Sequence, residues 1–130
     1  MPKFRVWMKS LKWMCDVTNI SFDSKFVDIC QQGDTERYTE MSVEFDEITL
    51  MQSTGLRDKN GKEIFEGDIL DYKGRKALVR WHGSYASFIY RFVDELQNRN
   101  TEWKPLYLAY MKCEIIGNIY ENRELLEDKE

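Results

Sequence analysis

Short runs of β-branched and aromatic residues, each closed by Gly, Asn or Asp, recur along this chain and constrain its fold more than any other feature. Such runs are typical of β-strands that end in tight turns. The first run, Phe4-Arg5-Val6-Trp7, places Phe4 and Val6 on one face. Helical periodicity is weak throughout, and the only two prolines are Pro2 and Pro105. The sequence therefore predicts a fold dominated by β-structure.

The strand pattern is most regular in the second half of the chain. Candidate strands lie at residues 69–72, 76–82, 85–92, 106–111 and 113–120. Five strands at such close intervals are the arrangement of a small closed barrel of SH3-like size. Residues 94–101 are polar and fit a short helix or a loop, and Asn122 is placed to cap a short terminal helix over residues 123–129.

These patterns predict an α+β chain, dominated by β-structure, with two domains. Residues 1–54 form a small β-rich N-terminal lobe. Residues 55–130 form an SH3-like β-barrel with a short C-terminal helix, and the lobe packs on the barrel. Strands that we expect before residue 55 include the first hairpin, with its return strand at residues 13–17, and the segment at residues 48–51.

The charge balance argues against a protein held to nucleic acid by bulk charge. The chain has 19 Lys and Arg residues against 23 Asp and Glu residues, a net charge of −4. Residues 34–47 are the most acidic segment, with six carboxylates and one cation, Arg37. The simplest interpretation of that segment is a solvated face, and the other is a surface for a basic partner.

Three cysteines, Cys15, Cys30 and Cys113, lie far apart in the sequence. A disulfide framework would be even in number and denser, and a zinc site would have paired spacing. We therefore predict reduced, buried thiols in a cytoplasmic protein. No apolar run approaches the length of a membrane span, and no hydrophobic segment of a secretion signal follows the first residues.

Three stretches stand out: residues 3–7 with Trp13-Met14, residues 51–70, and residues 115–122 with Leu125-Leu126. Together they resemble the YopX protein family of phages and prophages. The middle stretch is the most specific and includes Gly55-Leu56-Arg57-Asp58-Lys59-Asn60-Gly61. The chain departs from the family pattern at Met8, where members often have an acidic residue.

The resemblance implies a context more than an activity. It implies a phage- or prophage-encoded protein in the cytoplasm of a bacterial host cell, a two-part fold and self-association. The family brings no established catalytic motif that could be carried over to residues of this chain.

The middle stretch has its own physical interpretation, as a structural turn motif formed by Gly55, Asp58, Asn60, Gly61, Gly67 and Asp68. Its three glycines are six residues apart, where strands should turn or bend. Asp58 is placed to accept hydrogen bonds from the turn that follows it, and Glu66 or Asp68 to accept them at the bend. A phosphate-binding loop is the alternative, but its glycine and lysine spacing is missing.

Catalysis finds little support in the sequence. His82 is the only histidine, so a Cys–His or Ser–His pair would have to use it, and one histidine cannot supply a multi-histidine metal site. Glu63, Glu66, Asp68 and Asp71 lie close together, but such clusters arise by chance in a chain with 23 acids. We predict a protein that is not an enzyme and has no cofactor and no metal.

A basic hairpin is the strongest candidate site. Lys73, Arg75, Lys76 and Arg80 have no acid between them, and Trp81 and Tyr85 follow. Basic groups beside exposed rings bind single-stranded nucleic acid, since phosphates meet cations and bases stack on rings. The alternative, which we favour, is a solvated hairpin whose cations protect a sheet edge while its rings lie in the core.

Binding to protein is the third possibility and the one we predict. Trp and Tyr often anchor protein interfaces, and Trp13 and Trp103 are the candidates here. We therefore expect a non-enzymatic phage or prophage accessory protein that forms homo-oligomers and binds a host or phage protein. Nucleic-acid binding through the 73–81 hairpin is the alternative hypothesis, and no membrane partner is expected.

Overall fold

The computed structural model describes residues 3–97 and 103–127, and eleven strands lie within them. The chain divides into two units, residues 1–52 and residues 53–130. Strand β5 (Ile48–Arg57) runs through the division, so its first half belongs to unit 1 and its second half to unit 2. No described helix is long and apolar enough to span a membrane.

Unit 1 is an antiparallel sheet in the order β4-β3-β2-β1-β5. The strands before β5 are β1 (Phe4–Met8), β2 (Trp13–Ser21), β3 (Phe26–Gln31) and β4 (Met41–Glu44). Strand β2 extends beyond the run predicted at residues 13–17. A bulge between Val17 and Asn19 accommodates the change of register with β3. Alternate residues of this sheet, including Val6, Val27 and Ile29, form the core of unit 1.

Unit 2 contains a second antiparallel sheet, in the order β10-β9-β8-β7-β11. Its strands are β7 (Asp68–Tyr72), β8 (Arg75–His82), β9 (Ser87–Phe92), β10 (Lys104–Pro105) and β11 (Cys113–Asn118). The short strand β6 (Glu63–Phe65) pairs with the second half of β5. One face of the five-stranded sheet carries the core, built on Leu70, Ala77, Val79 and Tyr90 with Leu106 packed among them.

The predominance of β-structure is as predicted, but the closed SH3-like barrel is not confirmed. Among the described residues the sheet of unit 2 is open, with β10 at one edge and β11 at the other. The prediction failed at residues 106–111, which form two 3-10 turns instead of a strand. Leu106 and Ala109 are buried three residues apart, which is the period of a 3-10 turn and not of a strand.

The predicted C-terminal helix is shorter than expected. A 3-10 turn covers Arg123–Leu126, and residues 128–130 lie outside the described residues. Asn122 occupies the N-cap position, but its Oδ1 accepts a hydrogen bond from the backbone N–H of Asn118 at 3.1 Å instead of capping the turn. A 3-10 turn at Val93–Glu95 overlaps the start of the polar segment at residues 94–101. Residues 98–102 are not described.

Candidate binding surface

The turn motif is built around the buried carboxylate of Asp58. Its Oδ1 accepts hydrogen bonds from the backbone N–H groups of Asn60 and Lys62, both at 2.9 Å. Gly61 has a φ of +81°, which lets its N–H reach the Asp58 carbonyl oxygen at 2.9 Å. The sequence predicted this use of Asp58, which closes the turn between β5 and β6.

The other oxygen of Asp58 reaches an edge of the sheet in unit 2. Oδ2 accepts from the N–H of Ile115 at 2.9 Å, and the N–H of Lys59 donates to the Cys113 carbonyl at 2.9 Å. Burial by itself raises the pKa of Asp58, but the N–H donors of Ile115, Lys62 and Asn60 outweigh burial and leave its pKa below the ordinary value. The turn therefore covers backbone groups of edge strand β11, a structural task that accounts for Asp58 without catalysis.

The rest of the motif also serves the backbone. Asp68 is buried and its Oδ2 accepts from the Phe65 N–H at 2.8 Å. Gly67, with a φ of +90°, donates to the Val79 carbonyl at 3.0 Å. The N–H of Gly55 donates to the Ser53 hydroxyl at 3.1 Å, at the irregularity in the β5–β6 pairing. Asp68 and Gly67 thus fix the bend between β6 and β7.

The basic hairpin does not gather its cations and rings in one place. Arg75 begins β8 and Trp81 lies six residues along it, a separation of about 20 Å in a strand. Arg75 donates to Asp94 at 2.7 Å and to Glu95 at 3.1 Å, and these hydrogen bonds to the two carboxylates raise its pKa. Arg75 is therefore already paired with acids.

The two lysines lie at the same end as Arg75. The Lys76 ammonium donates to the Glu127 carbonyl at 3.1 Å, and the Lys73 ammonium lies 5.7 Å from the centre of the Tyr72 ring. Of the predicted nucleic-acid set, only Arg80, Trp81 and Tyr85 lie at or beyond the other end of β8. The structure thus divides the predicted site into two groups.

Four exposed rings lie near that end of β8 and β9, and we call them the aromatic surface: Trp81, Tyr85, Trp103 and Tyr107. Tyr85 is 71% exposed and Tyr107 is 60% exposed, while Trp81 is 45% and Trp103 is 37% exposed. Trp81 lies on the sheet face opposite to Arg80 and His82. Tyr85 stacks on the half-buried ring of His82, with centroids 4.4 Å apart and planes 21° apart. His82 meets Trp103 edge-on at 6.5 Å, so it lies between two rings of the aromatic surface.

Two clefts open beside these rings. The larger, of about 660 Å³, is lined by Tyr85, Ser87, Ile89, Trp103, Pro105 and Tyr107. The smaller, of about 310 Å³, is lined by Thr54, Leu56, Trp81, Ala86, Ser87, Phe88 and Tyr107. They share Ser87 and Tyr107, and the larger is within the range of small-molecule sites.

Two arginines lie on the same face of the sheet as Ile89, which lines the larger cleft. Arg80 is the cross-strand partner of Ile89, so both side chains lie on one face of the sheet, and Arg91 follows two residues later on that face. The Arg91 guanidinium carbon lies 5.0 Å from the centre of the Trp103 ring, within cation–π range. The sheet face that carries Ile89 therefore also carries two arginines, one of them against the Trp103 ring.

Sequence reasoning found part of this surface. Trp81, Tyr85 and Trp103 were singled out, but Tyr107 was missed because residues 106–111 were assigned to a strand. The charge pattern marks this part of the chain only broadly, because Lys73, Arg75 and Lys76 lie at or before the start of β8. Residues 72–93 and 103–113 contain seven of the chain's 19 Lys and Arg residues and none of its 23 Asp and Glu residues.

Other candidate residues have ordinary surroundings. Trp13 is partly buried and packs against the core of unit 1. The three cysteines are free and buried, and burial raises the pKa of Cys15 and of Cys113 to about 11. No group of three metal-ligating side chains occurs in the part of the chain that the structure describes.

The fold and this surface define a β-protein of two units with antiparallel sheets and a cluster of exposed rings. The chain belongs to the YopX protein family, whose sequence model matches residues 3–127. It is also similar to the crystal structure of protein EF1440 from Enterococcus faecalis, with 30% sequence identity and a TM-score of 0.59 over 98% of this chain and 99% of that one. A search of curated proteins gave no match.

Proposed function

We propose that this chain is a non-enzymatic phage or prophage accessory protein that acts by binding and self-association, and that the aromatic surface is where it binds. The observation that carries the proposal is the exposure of Trp81, Tyr85, Trp103 and Tyr107 around two adjoining clefts. Contiguous exposed apolar groups are costly on a protein surface and mark interaction sites. Trp, Tyr and Arg are also the residues that anchor interfaces most often.

The chemistry of the polar groups supports binding over catalysis. The buried carboxylates Asp58 and Asp68 both accept hydrogen bonds from backbone N–H groups and hold turns in place. His82 stacks on Tyr85 and meets Trp103 edge-on. The two buried carboxylates thus have structural tasks.

A capture experiment tests the proposal. Tagged full-length protein and the variant Tyr85→Ala/Tyr107→Ala are incubated with bacterial lysate, and retained protein and nucleic acid are quantified. Tyr38→Ala is the matched control, because Tyr38 is 85% exposed but lies in unit 1. We expect the wild type and the control to retain the same partner and the double variant to retain at least tenfold less.

Self-association is measured on the same purified samples by size-exclusion chromatography with light scattering. We expect a wild-type mass that is a multiple of the 15.6 kDa of one chain. Equal retention by the wild type and the double variant would refute the aromatic surface as the binding site. A wild-type mass of one chain at every concentration would refute self-association.

A further inference from the structure

We propose that the larger cleft binds a proline-rich segment of a partner protein, held as a polyproline II helix against the rings of Tyr85, Trp103 and Tyr107. This inference rests on the proposed function, because it assigns a class of partner to part of the aromatic surface. Trp81 is not part of the site, since strand alternation places it on the opposite face of the sheet from Ile89, which lines this cleft.

The lining of the larger cleft is uncharged. Its described residues are Tyr85, Ser87, Ile89, Trp103, Pro105 and Tyr107, and none of them is charged in a chain of which 32% is charged. Tyr85 and Tyr107 expose 71% and 60% of their surface. Such a lining does not neutralise a phosphate or a carboxylate that leaves water. The ligand that suits it is therefore uncharged where it touches the cleft.

The polar groups of the cleft favour a ligand that accepts hydrogen bonds. The hydroxyls of Tyr85 and Tyr107 and the indole N–H of Trp103 can all donate. Ser87 already donates its hydroxyl to the carbonyl oxygen of Phe88 at 3.3 Å. A proline has a carbonyl oxygen but no backbone N–H, and a polyproline II helix has no internal hydrogen bonds, so its carbonyls are free to accept. The cleft and such a segment are therefore electrostatically complementary.

The rings are supported from behind before a ligand binds. Tyr85 stacks on His82 with ring centres 4.4 Å apart, and Trp103 meets His82 edge-on at 6.5 Å. The Arg91 guanidinium carbon lies 5.0 Å from the centre of the Trp103 ring. Supported rings lose little freedom on binding, and a polyproline II helix loses little because it is preformed. The low cost of ordering on both sides favours this class of ligand.

The partner is a different protein and not a second copy of this chain. The only prolines of the chain are Pro2 and Pro105, and Pro105 itself lines the cleft. A volume of about 660 Å³ accommodates a few residues of an extended segment rather than a folded domain. A polyproline II helix has three residues per turn, so prolines at every third position present one face to the rings.

Two other kinds of ligand bind aromatic rings but match this cleft less well. A quaternary ammonium group binds through cation–π contacts, but the Arg91 guanidinium already lies against the Trp103 ring and would repel it. A sugar has closely spaced hydroxyls that both donate and accept, and the described lining has no carboxylate or amide side chain to satisfy them. Both ligands are therefore competing outcomes of the test.

The test is fluorescence anisotropy of full-length protein with a labelled peptide of ten prolines. A labelled peptide of ten alternating glycines and serines is the control probe, because it is flexible and not preformed. We expect saturable binding of the proline peptide and at least tenfold weaker binding of the control. The affinity should change less than twofold between 50 and 500 mM salt, because no charged group of the lining takes part.

Variants locate the site on one face of the sheet. Trp103→Ala should weaken binding of the proline peptide at least tenfold, because tryptophans are frequent binding hot spots. Trp81→Ala is the matched control, since it removes a tryptophan of similar exposure from the opposite face, and its affinity should stay within threefold of the wild type. Tyr85→Phe/Tyr107→Phe keeps the rings and removes two donors, which should weaken binding by roughly fivefold or more. Thermal unfolding of every variant shows that folded proteins are compared.

Three results would overturn the inference. The first is no preference for the proline peptide over the control probe up to about 500 μM protein. The second is that Trp103→Ala binds as tightly as the wild type, or that Trp81→Ala loses as much affinity as Trp103→Ala. The third is that choline or maltohexaose changes the tryptophan fluorescence while the proline peptide does not bind.

Failure of this inference is distinguishable from failure of the proposed function. Lysate capture that is lost in Tyr85→Ala/Tyr107→Ala, together with no binding of the proline peptide, would refute a proline-rich partner and keep the aromatic surface as the binding site. Lysate capture that is equal in that variant and the wild type would refute the proposed function itself.

Discussion

At the scale of single residues, Asp58 links two distant segments of unit 2 through its side chain. One carboxylate accepts three backbone N–H groups, two from its own turn and one from Ile115, which is 57 residues away in the sequence. Each of these hydrogen bonds has an ionised acceptor, and such bonds are about twice as strong as neutral ones. Asp58 therefore couples the turn motif to the edge strand β11 through one charged group.

Asp58→Asn should destabilise the protein at pH 7 by about 1–3 kcal/mol, because a neutral amide accepts more weakly and brings unwanted donors. Urea unfolding measures the difference in free energy of unfolding. Asp23→Asn, at an exposed turn residue, is the control and should have little effect. An Asp58→Asn variant as stable as that control would contradict this account of the turn.

The same substitution should alter the dependence of stability on pH. The pKa of Asp58 is lower in the folded chain than the value of about 3.9 in the unfolded chain, so protonation in acid favours unfolding. The stabilisation is present above that unfolded value and is lost as the pH falls through the folded pKa. The gap between wild type and Asp58→Asn should therefore shrink between about pH 5 and pH 2. Asp34, whose pKa the Thr39 hydroxyl lowers, acts in the same direction in both proteins and cancels in the comparison.

At the scale of elements, strand β11 shows how a local irregularity is fixed by its surroundings. The register with β7 shifts between Ile115 and Gly117, and the side chains of Asn122 and Leu125 pack onto the glycine. Asn122 cannot easily move away, because its Oδ1 holds the backbone N–H of Asn118. The end of β11 and the following 3-10 turn are thus packed together at a position without a side chain.

Gly117→Ala should destabilise the protein by about 1–3 kcal/mol through overpacking. A Cβ at this position would lie 2.5 Å from Asn122 Oδ1 and 2.8 Å from Leu125 Cδ1. Gly83→Ala is the matched control, because the nearest atom to a Cβ there is Trp81 Nε1 at 4.0 Å. Thermal unfolding should show a lower midpoint for Gly117→Ala only, and equal midpoints would refute the packing argument.

At the scale of the whole molecule, the chain contains two separate clusters of buried apolar residues. One lies in unit 1 and includes Val6 and Ile29, and the other lies in unit 2 and includes Leu70 and Val79. Charge is also distributed unevenly, since the stretches that carry the aromatic surface have no carboxylate. Each unit therefore has its own source of stability.

Truncation of each core should weaken mainly its own unit. Leu70→Ala and Ile29→Ala each remove a fully buried side chain and should cost about 2–5 kcal/mol. Native-state hydrogen exchange should show that Leu70→Ala lowers amide protection chiefly in β7, β8 and β9, and Ile29→Ala chiefly in β1, β2 and β3. Uniform loss of protection across both units in either variant would show that the chain unfolds as one cooperative body instead.

The sequence by itself determined most of the strands, the turn at Asp58 and the family. The strand pattern of residues 76–82 identifies β8, because strand alternation is a local property of the chain. The use of Asp58 by its own turn was predictable for the same reason, since its partners are two and four residues away. Free, buried cysteines were likewise predictable from their number and spacing.

Only the tertiary structure decided which groups meet. The open sheet, the 3-10 turns at residues 106–112 and the bond from Ile115 to Asp58 depend on packing between segments far apart in the sequence. The basic hairpin was divided because neighbours on a strand become distant along its extended length, and Arg75 found its acids 19 and 20 residues away. Tyr85 and Trp103 came together across His82 for the converse reason: strand pairing brings β9 and β10 side by side, and no local pattern encodes that contact.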